Sequence, residues 1–436
     1  MLKTFTLKNS LKVASYQIPQ MRSAFINLGV KGGAIFDTPK TSGAAHFMEH
    51  ILVQAIPSFP NVELLSDFVE GLAGSYNAST TPQSIHFHAS IPANHLDDIL
   101  KIAAEAFYQP LFLETDIERE RGAVAEEIRG KQDQVWYKNW RFWADNRYQV
   151  GHPMLLFNGG SLEVVAKLQK KDLVGYWSRF FHPKNSYLVV VGGFDLKVLK
   201  EALEKYFESQ KSPKNFEGFP KLTNQDLKKS GVAIRHDPKL QSVSLDLDFP
   251  SLPDSAPDQD LVTQSVIAYI IGGLRGSRLH RLLRQRKGLV YSVSFSNSTY
   301  QTFGYSGVEL EVAPEKLDET LRLTMAELAS FIKDGPTDEE VEFTKNYYSN
   351  RILMNFDHPT AIASWIQSDL MWEEKIYTPE EYVELIKMVD KAKIMELMQK
   401  HWDFAKLNLV LQGPIPNNKA TINHYAEIIK EIKISN

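Results

Sequence analysis

Residues Ser23 to Val30 and Ser84 to Ile91 follow the pattern of strands, with apolar and polar positions exchanging along a short β-rich run. Met1 to Leu7 alternates in the same way, and Ser186 to Gly192 (Ser-Tyr-Leu-Val-Val-Val-Gly) is a short apolar run of the kind that forms a fully buried strand. Between these lie stretches with helical spacing: Ser42 to Gln54, His95 to Tyr108, Leu196 to Gln210, and a long stretch from about Glu114 to about Tyr148 rich in Glu, Arg and Trp. Strands alternating with helices in this order predict an α+β architecture of helices layered on a sheet.

Periodicity weakens between about Gln210 and Gly231, where Lys, Pro and Asn accumulate as they do in linkers. Beyond it, Leu407 to Gly413 (Leu-Asn-Leu-Val-Leu-Gln-Gly) echoes Ser186 to Gly192, and each of these strands is followed by a polar stretch and a closing helix. Gly192 and Gly413 stand about 220 positions apart, close to half the chain, which suggests a duplicated architecture. The expected organisation is two similar α+β domains, residues 1–212 and 232–436, each a mainly antiparallel sheet packed with helices, joined by a linker at 213–231.

A chain of 436 residues is too long for one ordinary core, in keeping with two domains. Its 49 Lys plus Arg against 53 Asp plus Glu leave a formal charge of −4, so neither nucleic acid nor an anionic membrane is expected as a partner. With no cysteine, disulfides, thiol nucleophiles and iron–sulfur clusters are excluded, and any metal must be held by His, Asp or Glu. No segment approaches the roughly 18 uninterrupted apolar residues of a membrane span, and the N-terminus lacks the apolar stretch of a secretory signal. A cytoplasmic protein is the expectation.

The sharpest chemical signal is His46-Phe47-Met48-Glu49-His50. On a helix, positions four apart share one face with Cβ atoms about 5–6 Å apart, so both imidazoles can converge on one metal ion. Glu49 lies near the same face, where its carboxylate can take a proton from water, and the order His-x-x-Glu-His is that of an inverted zincin. Two His ligands leave a zinc site one protein donor short of the usual three plus water. The segment Glu118 to Arg129 offers carboxylates at Glu120, Glu126 and Glu127; Glu120 and Glu127 are two turns apart on one face, and Glu126 points about 100° away. Spacing alone does not choose among them.

His46-x-x-Glu49-His50 followed 77 positions later by Glu127 resembles the pitrilysin family of metallopeptidases, which includes insulin-degrading enzyme and mitochondrial processing peptidase. The resemblance implies that Glu127 is the third zinc ligand and Glu120 a supporting carboxylate, and the run Glu118-Arg119-Glu120-Arg121-Gly122 is similar to the processing-peptidase branch. It extends to Gly74-x-x-Asn77-Ala78-Ser79-Thr80, where the family binds substrate as a strand added to a sheet edge. It also covers His182-Pro183-Lys184-Asn185 at the end of the first domain, and Arg284 with Tyr291, which in active members reach the substrate carbonyl. Gln285 stands where the family often has Glu, and Val53 to Pro60 departs from the segment common after the motif, a departure that bears on substrate preference. His86 and His88, two apart on a strand, read as strand packing rather than a second metal pair.

The resemblance implies a zinc-dependent endopeptidase with one Zn2+ per chain, hydrolysing short or unfolded peptides in an enclosed cavity, with water activated by Glu49 and the oxyanion met by Arg284 and Tyr291. The substrate segment would be Asn77, Ala78, Ser79 and Thr80. Because larger members carry four such domains, a homodimer, or a heterodimer with a related subunit, is implied. The alternatives are a non-catalytic scaffold subunit of the same fold and a protease dedicated to one peptide precursor.

Overall fold

The computed structural model describes residues 2–156, 158–212, 222–223, 226–228, 231–372, 375–402 and 404–431, so most of the expected linker 213–231 lies outside the described residues. The chain forms two compact units. Unit 1 comprises Met1–Gln134, Pro153–Pro220 and Asn355–Ile376; unit 2 comprises Val135–His152, Lys221–Met354 and Tyr377–Asn436. No helix among the described residues is long and apolar enough to cross a membrane.

Unit 1 is built on strands β1 (Leu2–Thr6), β2 (Lys12–Gln17), β3 (Ser23–Lys31), β4 (Ser75–Thr80), β5 (Ser84–Pro92) and β6 (Ser186–Gly192), in the spatial order β1-β2-β6-β3-β5-β4. The β2–β6 pair is parallel and the other pairs are antiparallel. Every residue of β6 is buried, as its unbroken β-branched run requires of a strand covered on both faces. Tyr187, Val189 and Val191 project to one face and pack with Ile362, Ala363, Ile366 and Leu370 of helix Pro359–Trp372. The opposite face, where Leu188, Leu28 and Phe87 lie in register, is covered by helices Ala44–Leu52 and Leu96–Tyr108.

Unit 2 repeats this plan with β7 (Gly231–His236), β8 (Val243–Ser251), β9 (Val290–Thr299), β10 (Gly304–Val312) and β11 (Asn408–Gly413) in the order β7-β11-β8-β10-β9. Again one pair, β7–β11, is parallel and the rest are antiparallel. Removing β1 makes the two sheets identical in connectivity, with β6 and β11 as counterparts, which is the echo between Ser186–Gly192 and Leu407–Gly413 seen in the sequence.

The long helix expected from Glu114 to Tyr148 is two helices, Glu114–Asp133 and Val135–Arg147. Gln134 adopts φ −73° and ψ 142°, an extended conformation that ends the first helix where the chain passes from unit 1 into unit 2. Helix Val135–Arg147 then docks on the unit 2 sheet, with Trp143 Nε1 donating to Asp248 Oδ2 at 2.9 Å and the fully buried Arg147 pairing with Asp248 Oδ1 at 2.8 Å. Each sheet is thus covered on one face by a helix from the other half of the chain.

Candidate metal centre

The helix Ala44–Leu52 starts at Gly43, whose φ of +97° is open to glycine and strained for other residues. Gly160 crosses so close that a Cβ built on it would meet Gly43 Cα at 2.4 Å. The side chain of Gly43 being absent, Asp37 caps the helix from upstream: Oδ2 accepts from Gly43 N at 2.7 Å and Oδ1 from Ala45 N at 3.3 Å. Burial pushes the Asp37 carboxyl up to about 8, against the opposing pull of these two hydrogen bonds. Phe47, Met48, Ile51 and Leu52 are all buried. At roughly 1.5–3 kcal/mol for each large apolar side chain removed from water, they fix the helix as a platform for the polar residues on its remaining face.

On that face His46 and His50 lie with ring centroids 4.9 Å apart. Helix Glu114–Asp133 packs beside them, burying the stripe Ile117, Glu120, Val124 and Ile128 at helical spacing. Two turns beyond Glu120 the same helix carries Glu127, whose Oε2 is 3.4 Å from His46 Nε2 and 3.5 Å from His50 Nε2. His46, His50 and Glu127 are the one group of three potential metal donors among the described residues, with ligand atoms all within 4.8 Å of one another. Zinc bonds of about 2.0–2.1 Å in a tetrahedral site place neighbouring donors ~3.4 Å apart. The two His–Glu separations match that edge, so these residues fit zinc.

The electrostatics suit the same reading. Burial, helped by the neighbouring His50, lowers His46 to about 4 and leaves its ring neutral. Hydrogen bonding to His50 and Lys131 lowers Glu127 to about 2 and keeps it ionised. Lys131 holds the other oxygen, Oε1, of Glu127. For His50, burial is outweighed by hydrogen bonds to Glu120 and Glu127, which raise it to about 9. In the metal-free protein His50 therefore carries a proton that zinc must displace.

Glu120 sits behind His50, with Oε2 3.0 Å from Nδ1. Although its burial works against charge, the His50 and Arg119 contacts hold its carboxyl below the usual range. Arg119 is itself gripped by Asp116 Oδ1 at 3.0 Å and Gln54 Oε1 at 2.6 Å, and Gln54 Nε2 donates to the carbonyl of His50 at 3.2 Å. This ring of contacts ties the two helices together. Glu126, exposed and paired with Arg129, takes no part.

Glu49 is raised above the ordinary carboxylate range by burial, while a hydrogen bond with Thr80 works in the opposite direction. Thr80 closes the segment Asn77-Ala78-Ser79-Thr80 on β4, the outermost strand of its sheet. Asn77 Oδ1 accepts from Ala78 N at 2.8 Å, and Ala78 is buried. Arg284 and Tyr291 belong to unit 2, where the guanidinium lies 4.7 Å from the tyrosine ring centroid and donates to the Tyr291 carbonyl. The Tyr291 side chain is 82% exposed. His86 hydrogen-bonds Ser84 Oγ at 2.7 Å and Asn27 Oδ1 at 3.2 Å, and burial lowers it to about 3, which is strand packing.

Sequence reasoning did not single out Asp37, Gln54, Arg119 or Lys131. Lys131 had a signal, since it follows Glu127 by four residues on one helix face. Asp37 and Gln54 had none, because their partners are brought to them by the fold.

A family model described as Insulinase (Peptidase family M16) matches residues 12–142, and one described as Peptidase M16 inactive domain matches residues 167–348. Among curated proteins, an uncharacterized zinc protease of Rickettsia felis is 24% identical over 404 residues, covering 90% of this chain and 93% of that protein. The zinc protease YmxG of Bacillus subtilis is 23% identical, covering 96% of this chain and 100% of its own length. The β subunit of the mitochondrial-processing peptidase of Neurospora crassa is 24% identical, with 92% and 86% covered. Among solved structures, a protease from Helicobacter pylori superposes with a TM-score of 0.84 at 20% identity over 95% of this chain and 99% of that one. Between them the two family models account for most of the sequence, and the chain belongs to peptidase family M16.

Proposed function

We propose that this protein is a zinc endopeptidase acting on short or unfolded peptides, with one zinc per chain held by His46, His50 and Glu127. The observation that carries the reading is the pair of His–Glu separations, 3.4 and 3.5 Å, which suit a single tetrahedral ion. Zinc, when bound, supplies Lewis acidity that makes water a better nucleophile and a carbonyl a better electrophile. Glu120 orients His50, and Glu49 takes the proton from the attacking water. Burial raises Glu49 toward the range in which a carboxylate both accepts and returns a proton near neutrality. Arg284 and Tyr291 donate hydrogen bonds to the oxyanion that develops on the substrate carbonyl. The peptide binds as a strand added to β4 along Asn77, Ala78, Ser79 and Thr80, main chain to main chain, an attachment that itself depends little on side chains.

The relatives named zinc proteases support the reaction class. The scaffold alternative is less favoured because the donor group is complete. The presence of His46, Glu49, His50, Arg284 and Tyr291 in one chain supports a self-sufficient homodimer over a division of labour between related subunits. The test is cleavage of a panel of quenched fluorescent peptides by the purified chain. Cleavage that chelator abolishes and added zinc restores is expected; no cleavage by the zinc-loaded chain, or cleavage indifferent to chelation, contradicts the proposal.

A further inference from the structure

The helical segment that carries Arg284 is strongly basic in a chain whose net charge is −4. From Arg275 to Lys287 there are five arginines, one lysine and one histidine, and no Asp or Glu. Two of these cations are neutralised internally: Arg278 by Glu340 at 2.6 Å and Glu327 at 3.3 Å, and Lys287 by Glu319 at 3.6 Å. Arg275, Arg281 and Arg286 are exposed and make no ion pair among the described residues.

Backbone geometry brings the three toward one side of the segment. Residues His280–Arg286 wind as a π-helix, a wide turn that brings positions four and five apart onto neighbouring sides and so groups Arg281 with Gln285 and Arg286. Gln285 Nε2 donates to the Arg275 carbonyl at 2.9 Å and folds the preceding loop against that side. Burial, with Arg284 and Arg275 both close enough to add to it, opposes protonation of His280. Arg281 also lines a cavity with Tyr269 and Phe343; of the two carboxylates among the described residues lining it, Glu340 is held by Arg278 and Glu339 is not.

We propose that Arg275, Arg281 and Arg286 form a docking surface for acidic side chains of the peptide substrate and bias the enzyme toward Asp- and Glu-containing sequences. The assignment of the ligand as substrate rests on the reading of Arg284 as a carbonyl contact. Arg275 and Arg284 both lie near His280, so a peptide held at Arg284 passes the Arg275 edge of this surface. The surface is one short helical segment, which matches a few carboxylates rather than a phosphate track, and the acidic remainder of the chain repels a long polyanion.

The test uses the full chain and three labelled peptides that differ only in having Glu, Gln or Lys at two positions. Fluorescence anisotropy is measured with chelator present so that no turnover occurs, and kcat/KM is measured separately with zinc. About tenfold tighter binding of the Glu peptide over the Lys peptide is expected at low ionic strength, from several exposed charge contacts acting together. The ratio falls to within twofold of unity in the Arg281→Gln/Arg286→Gln double variant. In the unmutated chain it shrinks similarly at about 0.5 M salt, which tests the surface without relying on a variant's folding. Equal binding of all three peptides, or displacement of the Glu peptide by a single-stranded oligonucleotide at lower concentration, overturns the proposal. Charge-selective binding without cleavage of any peptide retains the surface and removes the peptidase reading; cleavage without charge selectivity does the reverse.

Discussion

His50 Nδ1 lies 3.0 Å from Glu120 Oε2, and this contact decides which ring nitrogen is presented to a metal. Glu120 is held below the usual carboxylate range, so it is ionised near neutrality and can only accept. Nδ1 therefore donates, and Nε2 is turned toward Glu127. A histidine whose far nitrogen donates to a carboxylate is both fixed in orientation and made a stronger ligand.

Glu120→Ala is expected to weaken zinc binding by about 10- to 100-fold. Glu120→Gln, which keeps an acceptor oxygen, should lose less. Competition titration against a fluorescent zinc chelator measures both, and an unchanged affinity in Glu120→Ala removes Glu120 from the site.

Arg284→Ala and Tyr291→Phe are expected to keep normal zinc content while lowering kcat, by as much as about 100-fold for loss of an oxyanion donor. Steady-state kinetics on a neutral peptide check this. Wild-type kinetics in both variants would take unit 2 out of the chemistry.

The buried pair Arg147 and Asp248 anchors helix Val135–Arg147 on its sheet. Arg147→Ala leaves Asp248 buried with Trp143 as a remaining donor, a change expected to cost about 3–5 kcal/mol. Urea unfolding gives the value, and a loss under about 1 kcal/mol would show that the pair does not anchor this helix.

Asp37 gives a pH dependence of stability. Its carboxyl is raised by burial from 3.8 to about 8, and Asp246 in unit 2 is raised by burial, with Glu309 and Asp248 nearby, to about 7. Across that window the folded state keeps protons that the unfolded state has released. The stabilisation is therefore complete below about pH 4 and is lost as pH rises through 7 to 8. The Tm of the metal-free chain should fall across this range from these groups, and Asp37→Asn should flatten the part due to Asp37. A Tm profile of equal slope in the variant contradicts the assignment.

Three strands were legible because their signal is local: Ser23–Lys31, Ser84–Pro92 and Ser186–Gly192 fall within a residue or so of the expected bounds, whereas β2 and β7 to β10 were not expected. The motif helix was legible for the same reason, two histidines at helical spacing beside an apolar face. The break at Gln134 was not, since neither Pro nor Gly stands at it. Nor was the cover of each sheet by a helix from the other half, because Ile362 and Ile366 look alike whichever sheet they bury against. At the site, the two histidines that helical spacing paired came together with Glu127, which the family resemblance had implied, whereas Asp37 and the Gln54–Arg119 contact depend on loops and neighbouring helices that spacing does not encode.

Zinc content per chain, measured by plasma mass spectrometry after dialysis, reports whether one ion is shared by His46, His50 and Glu127. About one zinc per chain is expected for the wild type and for Glu49→Gln, and a small fraction of that for His46→Ala, His50→Ala and Glu127→Ala. Full zinc content in the His50→Ala or Glu127→Ala chain would contradict it.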